Sequence, residues 1–272
     1  MIIIAEAGAT KTDWRAKNSD GTVCSARTGG INASNMPHDA IERIVAEAVA
    51  ALNPMGETLS EVHFYGAGVL TDEMAQFFPG ARVECSSDLL AAARAVCGHA
   101  PGIAAILGTG SNSCFYDGEA IVKNVHSSGF ILGDEGGGAC LGRLFMADFL
   151  KDLVPEPLAS EFASSFDVDY LTVVKNVYRG PSPAGYLGSF APWIMERYGT
   201  SDYVRSLVDE NIRSFFRRCI SQYDTDAYSV GIVGGYGAAC RDTVSRIASE
   251  YGVTISEITA SPLEGLMKYH EV

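Results

Sequence analysis

In the first third of the chain, apolar and polar positions fall into short blocks that alternate between strand and helix periods. Residues 1–7 form an apolar run broken at Glu6. Segments 12–16 and 22–27 have strand character and are turned at Ser19-Asp20-Gly21, which together predicts a three-strand antiparallel meander. Over 37–52, Ile41, Ile44, Val45, Ala48 and Leu52 recur at helical spacing, with Pro37 suited to the first turn. A buried strand over 62–65, a short helix over 72–78, a strand over 81–85 and an Ala/Leu-rich helix over 88–97 follow. Strands that alternate with helices predict a parallel extension of the meander sheet.

The same grammar starts again near Gly102. Segments 102–107, 111–116 and 120–126 read as strands, turned at Gly108-Thr109-Gly110 and Asp117-Gly118-Glu119. Helices follow from about Gly138, and a further strand covers 229–233. The repeat predicts an α/β protein of two similar lobes with a central cleft. The expected domains are 1–105 and 106–261, the second carrying a helical insertion over 139–200. A final helix near 262–272 is expected to pack back on the first lobe.

Composition narrows the partners. With 20 Lys and Arg against 33 Asp and Glu the formal charge is −13, and the basic residues form no cluster, which excludes binding to a nucleic-acid backbone or an acidic membrane surface. No apolar run approaches the ~18 residues needed to cross a bilayer, and no basic segment precedes the run that Glu6 interrupts, so a cytoplasmic protein is expected. The 7 cysteines are scattered, without a C-x-x-C or zinc-type spacing, and read as small buried residues of a reducing compartment.

Glycine is in excess, at 29 of 272 residues, and it gathers in clusters beside Thr, Ser, Asp and Glu. Glu6-Ala7-Gly8-Ala9-Thr10-Lys11-Thr12-Asp13 lies at the first strand turn. Its small residues let backbone N–H groups approach a phosphate, Thr10, Thr12 and Lys11 add donors, and Glu6 is placed to hold Mg²⁺. Taken alone, the segment is also consistent with an ordinary hairpin. The equivalent turn of the second lobe, Gly108-Thr109-Gly110-Ser111-Asn112, carries the same equipment, and two matched turns suit a polyphosphate. In the loop from Gly129 to Gly138, Asp134 and Glu135 are adjacent carboxylates expected to face a polar ligand, since burying both is costly. Val233-Gly234-Gly235 runs from a strand into a helix through Ala239, leaving room for a flat ring such as adenine. The G-x-G-x-x-G pattern of nicotinamide cofactors is not met there. Asp88 opens a predicted helix and suits both an N-cap and a general base.

Together these clusters resemble the actin/hexokinase/Hsp70 superfamily, specifically the N-acetylglucosamine kinase-like branch of the BadF/BadG/BcrA/BcrD ATPase family. The likeness runs from Ile2 to about Leu266. The family's D-G-G-G-T-K-T turn reads Glu6-Ala7-Gly8-Ala9-Thr10-Lys11-Thr12 here, and its L-G-D-E-G signature matches Leu132-Gly133-Asp134-Glu135-Gly136.

The resemblance implies ribonuclease H-like (actin-like ATPase) lobes and ATP-dependent phosphorylation of an amino sugar, N-acetylglucosamine or glucosamine, at its 6-hydroxyl, with Mg²⁺. By position, it implies that Gly8, Thr10, Lys11, Thr12, Gly108, Thr109, Gly110, Gly234, Gly235 and Ala239 contact ATP. Asn32, Asp88, Ser111, Asn112, Gly129 and Asp134 contact sugar, Asp88 is the catalytic base, and the protein is a homodimer. The stretch 186–192 also resembles the family and is assigned to packing. Two alternatives stand beside this reading. One is an ATPase that activates a 2-hydroxyacyl-CoA dehydratase, whose iron–sulfur cluster needs thiolates where this chain offers only Cys140. The other is a non-catalytic nucleotide-binding regulator, because Ala7 and Ala9 narrow the first turn.

Overall fold

The computed structural model describes residues 1–8, 11–32, 36–66 and 72–272. The chain divides into two compact units. Unit 1 comprises Met1–Pro101, Tyr116–Ile121 and Ser261–Val272, and unit 2 comprises Gly102–Phe115 and Val122–Ala260. The break falls at 101/102, ahead of 105, because Gly102–Leu107 is already a strand of the second sheet.

Unit 1 is built on a sheet of β1 (Ile2–Ala7), β2 (Lys11–Lys17), β3 (Val23–Gly29), β4 (Glu61–Gly66) and β5 (Arg82–Ser86), in the order β3-β2-β1-β4-β5. The first three strands pair antiparallel, and β4 and β5 extend the sheet in parallel. From Ile2 to Ala5, β1 is continuously apolar because both of its faces are covered. Ile3, Ala5 and Ala7 pack with Ile41, Val45, Ala48 and Leu52 of α1 (His38–Leu52), whereas Ile4 packs with Ala91 of α2 (Asp88–Cys97) and with Leu263 and Leu266 of the C-terminal helix, Leu263–Tyr269. Pro37 stands at the N-cap position in extended backbone instead of inside the first turn of α1. The short helix expected over 72–78 forms as a 3₁₀ helix over Asp72–Phe77, since so short a segment does not propagate an α-helix.

The second sheet repeats this topology with β6 (Gly102–Leu107), β7 (Ser111–Tyr116), β8 (Ile121–Val125), β9 (Val230–Val233) and β10 (Ile255–Thr259), in the order β10-β9-β6-β7-β8. β9 pairs parallel to both β6 and β10. Where, among the described residues, α1 is the one helix between β3 and β4, seven α-helices lie between β8 and β9: α3 (Gly129–Leu132), α4 (Gly138–Phe149), α5 (Leu158–Ser165), α6 (Tyr170–Arg179), α7 (Pro183–Gly188), α8 (Ala191–Met195) and α9 (Asp202–Arg218). α10 (Gly235–Ala239) and α11 (Arg241–Glu250) then lead to β10. The added helices close on an aromatic cluster in which Phe162 meets Phe145, Phe190 and Trp193 edge to face, at centroid distances of 4.8, 5.3 and 5.0 Å. Leu187 and Phe190, from the stretch 186–192, are buried in this core. All 7 cysteines are free thiols. Among the described residues, no helix is long and apolar enough to cross a membrane.

The C-terminal helix is held on unit 1 by a polar cluster as well as by apolar contact. Gly265 lies against the backbone of Ala95, where a Cβ would overlap the carbonyl oxygen. The ring of His270 stacks on His63 at 3.5 Å, and its Nε2 lies 2.7 Å from the Tyr65 hydroxyl. Arg94 donates to Tyr65 at 2.8 Å and to Glu84 at 2.6 Å. Burial, with His63 and Arg94 nearby, lowers the His270 pKa to about 4. Hydrogen bonding from His63, reinforced by Arg94, lowers that of Glu84 to about 2.

Unfolded His270 takes up its proton near pH 6.5 and the docked side chain only near 4, so acidification through this interval removes stability that is present above it. The Glu84 contribution is lost only at lower pH, as the solution approaches 2. Amide protection across residues 263–270, taken relative to the intrinsic exchange rate at each pH, is therefore expected to fall between pH 6.5 and 4, with the dependence flattened in His270→Gln. A protection profile flat over that interval in the wild type would refute the assignment to His270.

Candidate functional site

In unit 1 the first turn is narrow. The Gly8 N–H donates to the Lys11 carbonyl at 2.9 Å. Glu6, half-buried on β1, stands opposite Asp13 of β2. Burial pushes the Glu6 carboxyl above its ordinary range and the charges of Asp13 and Asp88 add to this, while Lys11 pulls the other way. For Asp13 burial also acts upward. Hydrogen bonds from Arg27 at 2.5 Å and Lys11 at 2.9 Å outweigh it and hold this carboxyl below its ordinary range.

Lys11, expected to contact ATP, thus has its Nζ on Asp13. Thr12 is fully buried, with its hydroxyl unpartnered, so this donor faces the interior. Thr10 lies outside the described residues. Asn32 is half-buried and its carbonyl accepts the Met36 N–H at 3.1 Å.

Asp88 is the first residue of α2, but it is not the cap. Ser87 takes that role, its hydroxyl accepting the Leu90 N–H at 3.1 Å. One oxygen of Asp88 accepts the Leu89 N–H at 2.8 Å. Burial raises the Asp88 carboxyl above its ordinary value despite that bond. A half-buried carboxylate with raised proton affinity suits a group that must accept a proton.

In unit 2 three glycine segments lock together. The Gly138 N–H donates to the Gly108 carbonyl at 2.9 Å and the Ala139 N–H to that of Thr109 at 2.8 Å, so the start of α4 is fastened to the turn after β6. A Cβ on Gly137 would stand 2.9 Å from the Thr109 carbonyl oxygen and the Gly110 carbonyl carbon. Gly234, at φ 130°, lies so close to β6 that a Cβ would overlap the Leu107 carbonyl. Thr109, Gly235 and Ala239 remain exposed, the latter two one turn apart on α10.

Asp134 is buried and sits at φ 57°, a backbone conformation that non-glycine residues hold only under constraint. Its Oδ1 accepts the Ser111 N–H at 3.3 Å, and the carboxylate packs on Gly110, where a Cβ would approach Oδ2 to 2.9 Å. Burial raises the Asp134 carboxyl, and neighbouring Glu135 adds to this against the Ser111 bond.

Glu135, adjacent to Asp134, pairs with Arg218 of α9 at 2.9 Å. Ser111 is buried, and the Asn112 Oδ1 accepts from Asn124 of β8 at 2.9 Å. Gly129, at φ 71°, is exposed at the start of α3.

No family model and no curated protein sequence matches the chain. Solved structures do. A crystal structure of a proposed N-acetylglucosamine kinase from Porphyromonas gingivalis is 35% identical, with a TM-score of 0.92, and the match covers 99% of this chain and 98% of that one. The chain belongs to that protein's family.

A proposed N-acetylglucosamine kinase from Chromobacterium violaceum follows at 20% identity and a TM-score of 0.79, covering 98% of each chain. A ROK-family glucokinase from Streptomyces griseus, solved with glucose and AMPPNP, shares the fold at 16% identity and a TM-score of 0.60, over 99% of this chain and 98% of that one. The family fold is the actin-like ATPase fold of sugar kinases, with two mixed α/β sheets.

Some partners of the candidate residues were not marked as such in the sequence. Asp13 sits inside the first motif but signals its role only once Arg27, on the next strand, is seen beside it. Ser87, immediately before the helix, was the available sign that Asp88 is spared from capping. Nothing in the local sequence marks Asn211, a buried residue of α9 bonded to the glycine loop.

Gly234→Ala is expected to cost about 2–4 kcal/mol in chemical denaturation, from a glycine-only backbone conformation plus backbone overlap. Gly235→Ala, with open space around its Cβ position, is expected to leave stability unchanged or slightly raised. Equal effects of the two would contradict the close approach.

Proposed function

We propose that the protein is an ATP-dependent kinase that phosphorylates an amino sugar, N-acetylglucosamine or glucosamine, at the 6-hydroxyl. The reading is supported by membership of the family and, above all, by Asp88. That carboxylate is placed at a helix start, relieved of capping by Ser87 and raised in proton affinity by burial. In this reaction Asp88 accepts the proton of the sugar hydroxyl as its oxygen bonds to the γ-phosphorus. The bond to the bridging oxygen breaks and ADP leaves.

The small-residue turns at Gly8 and at Gly108–Gly110 receive phosphate, with the Gly8 N–H itself given to the Lys11 carbonyl and the Gly108 N–H to the Gly110 carbonyl, and Asp134 accepts from sugar hydroxyls. Gly235 and Ala239 offer an exposed, side-chain-poor surface to adenosine. Mg²⁺ fits Glu6, whose carboxyl is crowded by Asp13 and Asp88 and is stabilised by a nearby cation. Among the described residues no three His, Cys, Asp or Glu side chains could hold a metal together, which suits an ion that takes its remaining ligands from phosphate and water. When bound, Mg²⁺ supplies charge neutralisation on the phosphates. We further propose the BadF/BadG/BcrA/BcrD branch for the family and a cytoplasmic homodimer for the working form. An activator-type ATPase gains no support from Cys140, which is buried on α4.

Asp88→Asn is expected to lower sugar-dependent ADP release by about 10²–10⁴-fold. The acid limb of the wild-type pH profile is expected above the ordinary Asp value of 3.8, since the base must be deprotonated to act. Turnover near wild type in Asp88→Asn would sink the assignment. ATP binding by calorimetry without ADP release on either sugar would replace the kinase reading with a regulator.

A further inference from the structure

Asn211 lies on the buried face of α9, among Val208, Ile212 and Phe215, and is 1% exposed. A carboxamide there is tolerated only if its polar atoms find partners. Its Oδ1 accepts the Gly136 N–H at 3.0 Å, while its Nδ2 donates to the Gly137 carbonyl at 3.1 Å and to the Tyr236 hydroxyl at 3.3 Å. Two of these partners are a backbone N–H and a carbonyl, so the orientation of the amide follows from the donors and acceptors around it.

One helical turn on, Phe215 carries Gly136, whose Cβ position lies 2.7 Å from the Phe215 Cβ. α9 is therefore the seat of the loop that holds Asp134. Tyr236 belongs to α10, and its ring approaches Gly138 at the start of α4. One side chain thus touches both the loop that ends in α4 and the helix after β9, and α4 is itself bonded to the Gly108–Thr109 turn.

We propose that Asn211 is a positioning residue that sets the Asp134 loop and the α10 turn in one register, coupling sugar contact to nucleotide contact within unit 2. Asn211 touches neither ligand and acts through Gly136, Gly137 and Tyr236. The proposal rests on the kinase reading for what the two segments bind, and on geometry alone for the brace itself.

Two variants separate the arms. Asn211→Asp keeps shape and acceptor but loses both Nδ2–H donors; Tyr236→Phe removes only the arm to α10. Peptides covering 133–138 in the unliganded protein are expected to exchange amide hydrogens about tenfold faster in Asn211→Asp. In that variant the KM values for ATP and for the sugar are both expected to rise about tenfold, with a smaller fall in kcat. Tyr236→Phe is expected to raise the KM for ATP by about three- to tenfold and to leave the sugar KM within about twofold.

A lowered melting temperature with both KM values at wild type would reduce Asn211 to a structural residue and overturn the proposal, as would unchanged exchange over 133–138. Should Asn211→Asp fail to fold, the ATP KM of Tyr236→Phe decides alone, and a wild-type value overturns the coupling. Should the wild type phosphorylate no sugar, the kinase reading fails by itself. The brace is then decided by exchange and by ADP affinity in calorimetry, and unchanged values in both variants refute it.

Discussion

Backbone packed directly on backbone around Leu107–Gly110 is the constraint on which unit 2 depends. Two N–H groups at the start of α4 bond to the Gly108 and Thr109 carbonyls, and the backbone of Gly234 rests against that of Leu107. At Gly137, just before α4, and at Gly234 there is no space for a Cβ. Overpacking of this kind typically costs ~1–3 kcal/mol even where side chains give way, and a backbone carbonyl gives way less. At Gly137 and Gly234 glycine is therefore a record of close approach, and the packing fixes the backbone of the Gly108–Gly110 turn.

The acidic groups are sorted by their surroundings. Asp13 is buried but neutralised by Lys11 and Arg27, both largely exposed, so solvent screening leaves each pair little net stability. Their consequence is to keep one carboxylate ionised beside two others, Glu6 and Asp88, that burial pushes toward the neutral form. In unit 2 the neighbours Asp134 and Glu135 diverge for the same kind of reason. Glu135 reaches Arg218, and Asp134 accepts a backbone N–H in a strained conformation. Strain held in place by surrounding packing is characteristic of functional positions.

Much of this was legible beforehand. Periods of two and 3.6 residues marked the meander, α1 and α2, because a sheet or helix with a buried face must place apolar residues at those intervals. The turns after β1 and β6 were legible because glycine and threonine cluster at those strand ends. Thr12 shows the limit of that inference. It stands in the motif by sequence, yet period-two alternation in β2 turns its hydroxyl inward. β10 was not marked as a strand, since its short stretch of Ile and Thr gains meaning only from pairing with β9.

By itself, the chain's residue pattern determined the alternation of strands and helices, the twofold repetition of one topology and the clustering of glycine, threonine and carboxylates at strand ends. These are local properties, carried by period and by turn chemistry. Tertiary structure alone decided which charges meet and which hydroxyls are buried: Arg27 on Asp13, Arg218 on Glu135, Ser87 in place of Asp88 as cap, and Asn211 beneath the glycine loop. Each depends on the packing of elements whose relative placement no local period encodes, and hydrogen bonds and ion pairs form only between atoms brought within about 3 Å.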